Sequence, residues 1–289
     1  MPNWSFEDTV SCPTGPTQVN KAIGWSSYRQ TPDYFNPCNT GTVGVPTNSF
    51  GFQNALSGNA YAGFASYYQG NLREFIGTQL IQHLDSGIKY FVSFYASRAS
   101  NVGINKASNK IGIKFSTISY SSVNPQPIDN YAQVFSDSVI EDTINWVKIS
   151  GSFIADSSYQ YISIGNFFDD SLTTVISYDT LAGAAYYFLD WVCVSTDSTE
   201  CNLNEGINES NLPFLIDVFP NPFAEAIYIV NHTDMSIEAK IYDALGRLVS
   251  KYSFPDKTNY IQTSKLPTGI YVLVIGLDNY YLNKRIIKY

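Results

Sequence analysis

Asp190 is the acid whose setting in the sequence says most. Along Tyr187–Val194 it falls on the same side of an alternating strand as Phe188, Val192 and Val194, so its carboxylate points at an apolar face, where an unpaired charge is costly. Such a group needs a partner. If the first and last strands of the unit are neighbours, Glu7 comes alongside, and two carboxylates together suit a hard, oxygen-seeking cation, calcium first. A buried Lys or Arg, or a sheet covered so that Asp190 faces water, would answer the same need, and both readings stay open.

Aromatic side chains carry a second chemistry. A sugar is held by a ring against the apolar face of its pyranose and by a few fixed polar groups that meet its hydroxyls. The candidates are Trp25, Tyr28 and Tyr34, in the loop region formed by Trp25–Arg29 and Asp33–Asn36, and then Tyr67, Tyr68 and Arg73. Each competes with a plain role in the core, where most aromatics of a β-sandwich belong. Trp4, Trp146 and Trp191 are assigned to the core or its rim.

Catalysis finds little to work with. The two histidines, His83 and His232, give no Ser/His/Asp or Cys/His constellation, His83 reading as a surface residue at a strand end. Asp169-Asp170 and Glu141-Asp142 sit in turn-like polar segments and read as solvated loop charges, not as a spaced glycosidase pair. No phosphate-cradling glycine loop, metal-ligand cluster or nucleotide fingerprint is present. The sequence is read as that of a non-enzyme, with a small glycoside hydrolase or lyase as the lesser reading.

Four cysteines, Cys12, Cys38, Cys193 and Cys201, lack the CxxC spacing of zinc or redox sites and allow three disulfide connectivities. Proximity favours Cys12–Cys38 and Cys193–Cys201.

The elements that position these residues are strands. Ile111–Phe115, Val147–Phe153, Tyr61–Tyr67, Tyr90–Ala96, Tyr161–Phe167 and Tyr187–Val194 alternate or run apolar between Gly/Asn/Ser/Asp clusters, which predicts an antiparallel sandwich of jelly-roll type. From Ser195 to Leu212 the pattern lapses into polar linker composition. Beyond it come shorter strands at Ala226–Val230, Ile237–Tyr242, Arg247–Phe254, Tyr260–Thr263, Gly269–Ile275 and Tyr280–Ile287, enough for a small sandwich. Gly246, and likewise Gly269, is expected where a turn needs positive φ. The predicted organisation is 1–197, a linker 198–212, and 213–289.

Composition agrees and excludes. In the 289 residues hydrophobic side chains make up 44% and charged ones 15%, with 22 Tyr and 18 Phe, which supports packed β cores and rules out general disorder. The net charge of −8 has the wrong sign for nucleic acid or an anionic membrane. It is also unevenly placed, −9 over residues 1–214 and +1 beyond. The longest apolar run, Ile270–Gly276, falls far short of the ~20 residues of a membrane helix. No basic-then-apolar leader opens the sequence, so any signal peptide is expected to have been removed.

The second unit resembles a known family. Val218-Phe219-Pro220-Asn221-Pro222, Asp243-Ala244-Leu245-Gly246-Arg247, Leu266-Pro267-Thr268-Gly269-Ile270-Tyr271 and the terminal Lys284-Arg285-Ile286-Ile287-Lys288-Tyr289 together resemble the type A C-terminal sorting domain of the type IX secretion system of Bacteroidota. The resemblance implies an immunoglobulin-like β-sandwich and export across the outer membrane by a translocon and shuttle protein, leaving a secreted or cell-surface product. It makes Pro220, Asn221, Pro222, Gly246, Gly269, Tyr271, Lys284, Arg285 and Lys288 the sorting-signal candidates. The terminal strand, basic and apolar by turns, is expected to be an edge that pairs with its receptor.

The first unit is similar to the galactose-binding-like jelly rolls, among them many carbohydrate-binding modules. The likeness lies in Asn3-Trp4-Ser5-Phe6-Glu7, Gly24-Trp25, Ser57-Gly58-Asn59-Ala60-Tyr61-Ala62-Gly63, Arg73-Glu74-Phe75-Ile76 and Tyr187-Phe188-Leu189-Asp190-Trp191-Val192. What it implies is glycan binding, a calcium at the place of Glu7 and Asp190, and the same two disulfides. Trp191 stands where a second Asp is common, a departure that bears on the metal shell. The expected protein binds extracellular glycan; a structural or adhesive surface protein without a sugar ligand is the alternative.

Overall fold

The computed structural model describes residues 1–201, 216–232, 236–255, 257–277 and 280–289. The chain divides into two compact units, Met1–Asn202 and Leu203–Tyr289. Of the linker read from composition, residues 202–212 lie outside the described residues. The architecture is all-β, with a single 3-10 turn at Val19–Lys21 and no α-helix among the described residues.

The large unit is a jelly-roll sandwich of two five-stranded sheets. One runs, in spatial order, Trp25–Arg29, Phe75–Gln79, Tyr161–Asn166, Ile111–Ser116 and Val134–Phe135; the other runs Val147–Ile154, Lys89–Arg98, Ala185–Ser195, Tyr61–Tyr67 and Asp33–Phe35. Every pairing within them is antiparallel. The core between the sheets follows from period-two alternation: Phe64, Phe94, Tyr187 and Leu189 from the second sheet meet Ile76, Ile111, Ile113, Ile162 and Ile164 from the first. Trp25–Arg29, expected as loop, is a strand paired with Phe75–Gln79. Its five residues straddle Ser26-Ser27, too short an alternation to register.

The long Ala185–Ser195 strand breaks step at Trp191. Its register shifts between Asp190 and Cys193, and Trp191 takes φ +54°, the left-handed conformation of a bulge. Phe188 therefore packs in a cluster on the outer side of its sheet, whereas Val192 joins the central core. The expectation that Asp190 and Val192 share a face is corrected by this bulge. The outer side is itself covered: Phe35, Tyr61, Tyr186 and Phe188 are buried under Val43, Phe50 and Ala55, with Trp146 against Tyr61. Two disulfides close the large unit, Cys12–Cys38 over a separation of 26 residues and Cys193–Cys201 over 8.

The small unit is an immunoglobulin-like sandwich. Its three-stranded sheet holds Ile216–Phe219, Ala226–Asn231 and Thr258–Gln262; the four-stranded one holds Leu248–Phe254, Ile237–Asp243, Gly269–Leu277 and Tyr280–Lys288. Ile227, Ile229, Ile241, Leu273, Ile275 and Ile286 form the core between them. Ile216–Phe219 was not foreseen as a strand, because four residues before Pro220 carry little periodicity. Gly246 adopts φ +76°, as its turn requires. Gly269 has no such φ and instead opens a strand opposite Lys288, which corrects that expectation.

Candidate functional site

Of the aromatic candidates, three are core residues. Trp25 stacks on Phe6 at 4.7 Å between centroids and donates its indole N–H to the Asn3 carbonyl. Tyr28 lies on Gly77, where even a Cβ would stand 2.1 Å from its ring. Tyr34 is fully buried and donates to the Phe6 carbonyl. None offers a ring face to a sugar, so the platform expected at Trp25, Tyr28 and Tyr34 is not there. Burial in the sandwich took precedence over the loop setting that made them attractive.

The second group assembles differently. Arg73 is buried to the last atom of its side chain, yet it is a pin and not a ligand hook. Its guanidinium pairs with Asp170 at 2.9 Å and donates to the Leu72 and Phe168 carbonyls. Burial pulls its pKa down, while Asp170 holds it up. The same guanidinium lies over the Tyr67 ring at 4.9 Å, covering one face of that half-buried aromatic. Tyr68 is different. It is 43% exposed and, with Leu72 at 45%, walls a cleft of about 290 Å³ whose other lining residues are Gln30, Ala65, Arg73 and Glu74.

Glu74 belongs to a group that sequence reasoning did not single out. Its Oε1 accepts from the Thr31 hydroxyl at 3.0 Å, and its Oε2 from the Ala65 amide at 2.8 Å. Burial first, with a contribution from the Asp33 charge, pushes its pKa up to about 7. Asp33 in turn accepts from the Thr17 amide and the Tyr186 hydroxyl, and burial lifts it to about 6. Gly63 makes this possible, since a Cβ there would fall 2.6 Å from the Tyr186 hydroxyl. The available signal was an acid inside or beside a short apolar strand, as in Asp33-Tyr34-Phe35 and Glu74-Phe75-Ile76.

Glu7 and Asp190 are gripped by one loop. Asp190 Oδ2 accepts from the amides of Leu56 and Ser57, and its Oδ1 from the Trp191 amide. Glu7 Oε1 accepts from Asn59 and Ala60. Between these pairs sits Gly58 at φ +68°, where a Cβ would meet the Glu7 carboxyl carbon at 2.2 Å. Burial raises the pKa of both acids, Asp190 well above the carboxylate range, and the Glu7 charge raises Asp190 further. No ion pair to either is formed by a described side chain, and no described cluster of three or more His, Cys, Asp or Glu side chains surrounds them. Glu7 Oε2 and a remaining lone pair of Asp190 Oδ1 are oxygen donors of the kind calcium takes.

The small unit gathers distant segments of sequence. Asn221 Oδ1 accepts from the Ile287 amide and its Nδ2 donates to the Arg285 carbonyl, both at 2.9 Å. Phe223 continues this contact, its amide donating to the Ile287 carbonyl and its carbonyl accepting from the Tyr289 amide. The terminal strand, expected to present an open edge, therefore has that edge covered at residues 285–289. Elsewhere Asp243 Oδ1 accepts from the amides of Leu245 and Arg247 around Gly246, and Tyr271 donates its hydroxyl to the Pro267 carbonyl. Lys284 reaches the Val218 carbonyl and Lys288 that of Tyr289. Pro220, Asn221, Pro222, Lys284, Arg285 and Lys288 thus belong to one patch, with Gly246 and Gly269–Tyr271 at separate turns.

Residues 217–289 match the secretion system C-terminal sorting domain family. No curated relative matches the chain. Among solved structures, the chain is similar to the CBM22-1 xylan-binding domain of Xyn10C from Paenibacillus barcinonensis (17% identity, 66% of this chain and 89% of that one, TM-score 0.35). It is also similar to the CBM22-1–CBM22-2 tandem domain of the same protein (13% identity, 98% and 83%, TM-score 0.35). A third likeness is to a DUF3244 family protein with an immunoglobulin-like β-sandwich fold from Bacteroides vulgatus (21% identity, 26% and 84%, TM-score 0.24). No helix among the described residues is long and apolar enough to cross a membrane.

Proposed function

We propose that this is a glycan-binding protein exported by the type IX secretion system: residues 217–289 address it to the outer-membrane translocon and shuttle, and the jelly roll binds extracellular glycan. The observation that carries the binding half is the cleft beside Tyr68. Tyr68 and Leu72 supply the apolar wall that the flat side of a pyranose requires, and Gln30 and Glu74 supply hydrogen-bonding groups at its margin. A calcium held by Glu7 and Asp190 belongs to the same proposal. When bound it would supply positive charge to two desolvated carboxylates, while the Leu56–Ala60 amides and Gly58 keep those carboxylates in place.

The reading is of a binder and not a catalyst. His83 is exposed and lies beside Asp85, and His232 lies beside Asp217 in the small unit; we read both as surface residues. A glycan array probed with residues 1–202 tests the proposal. Tyr68→Ala should weaken the best hit about tenfold, the worth of one aromatic contact of ~1.4 kcal/mol. An array without hits would favour an adhesive protein that takes no sugar. Reducing sugar released from the same polysaccharides would favour the hydrolase.

A further inference from the structure

We infer that the export signal is a composite surface built from the Pro220-Asn221-Pro222 turn and the end of the terminal strand, with Asn221 as the residue that positions one against the other. The inference rests on the export reading above and specifies what the secretion apparatus would recognise.

The argument begins with the edge of the terminal strand. On its inner side Tyr280–Lys288 pairs with Gly269–Leu277 along its whole length. Its outer side leaves the Arg285 carbonyl and the Ile287 amide without a strand partner, and these are the two groups that the Asn221 side chain takes. A carboxamide offers one acceptor and two donors in a plane, so here it acts as an added peptide group that extends the sheet. Asp lacks the donor and Ser lacks the reach and the second group. The prolines on either side have no N–H to offer, and the backbone ladder resumes only at Phe223, which bonds to Ile287 and Tyr289.

The outcome is a patch whose parts lie more than sixty residues apart in sequence. Pro220, Pro222, Arg285 and Tyr289 are all exposed on it, and Arg285 forms no ion pair with a described side chain. A partner that bound the terminal residues as an added strand would first have to displace Asn221 and Phe223. Recognition of the intact surface by a protein with acceptor groups for Arg285 needs no such displacement.

The test uses the full chain behind an inner-membrane export leader in a bacterium with an active type IX apparatus. Asn221→Ala, Asn221→Asp, deletion of 283–289, and Ile229→Val as a control for lost stability in the core are compared by surface-exposed protein and by melting temperature. The expected result is at least a tenfold loss of export for Asn221→Ala and a smaller loss for Asn221→Asp, which keeps only the acceptor. Ile229→Val, melting no higher than Asn221→Ala, should be exported normally. Export of Asn221→Ala at the parent level would overturn the inference, and so would equal losses from Ile229→Val. Should Asn221→Ala fail to fold, the same comparison is read from Asn221→Asp. Normal export of the deletion would instead overturn the export reading itself.

Discussion

Asp33 and Glu74 make the large unit sensitive to pH in an unusual direction. Both carboxylates have folded pKa values raised, to about 6 and about 7, above their ordinary values of 3.8 and 4.5. A raised acid binds its proton more tightly in the folded state, so its contribution is complete below pH ~4 and is lost as pH rises through 6 to 7. The melting temperature of residues 1–202 should therefore fall between pH 5 and 7.5, and Asp33→Asn should flatten that slope; a rise over the same range would contradict the assignment. At Gly58, Ala would need both the left-handed φ and space already filled by the Glu7 carboxyl, so Gly58→Ala should cost about 2 kcal/mol or more in urea unfolding. Chelation should lower the melting temperature of calcium-loaded protein and leave Asp190→Asn unmoved; no change on chelation would remove calcium from the proposal. At this scale the sequence was partly legible. Asp190 announced itself as an acid within an apolar strand, whereas Glu74 stands only beside one, and its partners Thr31, Ala65 and Asp33 come from segments that only the tertiary fold brings together.

Strands were easier to read than the faces they present. Tyr61–Tyr67 was bounded from its apolar run alone, and the larger alternating strands fell within a residue or two of their observed ends. What misled was the loss of period two at the Trp191 bulge, since a single residue in left-handed conformation moves Val192 from the outer cluster to the central core. The aromatics of Trp25–Arg29 were misplaced for a related reason: exposure depends on which sheet covers a strand, and its own residues do not encode that. The segment between Cys12 and Cys38 has little apolar content beyond Val19, Ala22, Trp25, Tyr28, Tyr34 and Phe35. Closing 26 residues by one bridge should contribute about 3 kcal/mol. Replacing both cysteines by serine should lower the denaturant midpoint of the large unit accordingly, and an unchanged midpoint would show that packing alone holds the loop.

The chain is two units with separate cores, and each should fold without the other. Residues 1–202 and 213–289 expressed alone should each unfold cooperatively, and proteolysis of the full chain within 202–212 should release both intact. A single transition for the full chain, with no stable fragment, would refute this. The contrast in charge and the polar stretch between the units made that division legible, while the meeting of Pro220–Pro222 with the chain end was not, because nothing local pairs Asn221 with Ile287. One further property follows from where the tryptophans lie. Trp4, Trp25, Trp146 and Trp191 all belong to the large unit, with Trp4 edge-on to Trp191 and Trp191 edge-on to Tyr95. Emission excited at long wavelength therefore watches the jelly roll alone, and the small unit is visible only through its tyrosines. The intact chain thus carries one optical channel that belongs to the jelly roll with no label attached, whereas tyrosine emission, with fourteen of the 22 tyrosines in the large unit, reports on both.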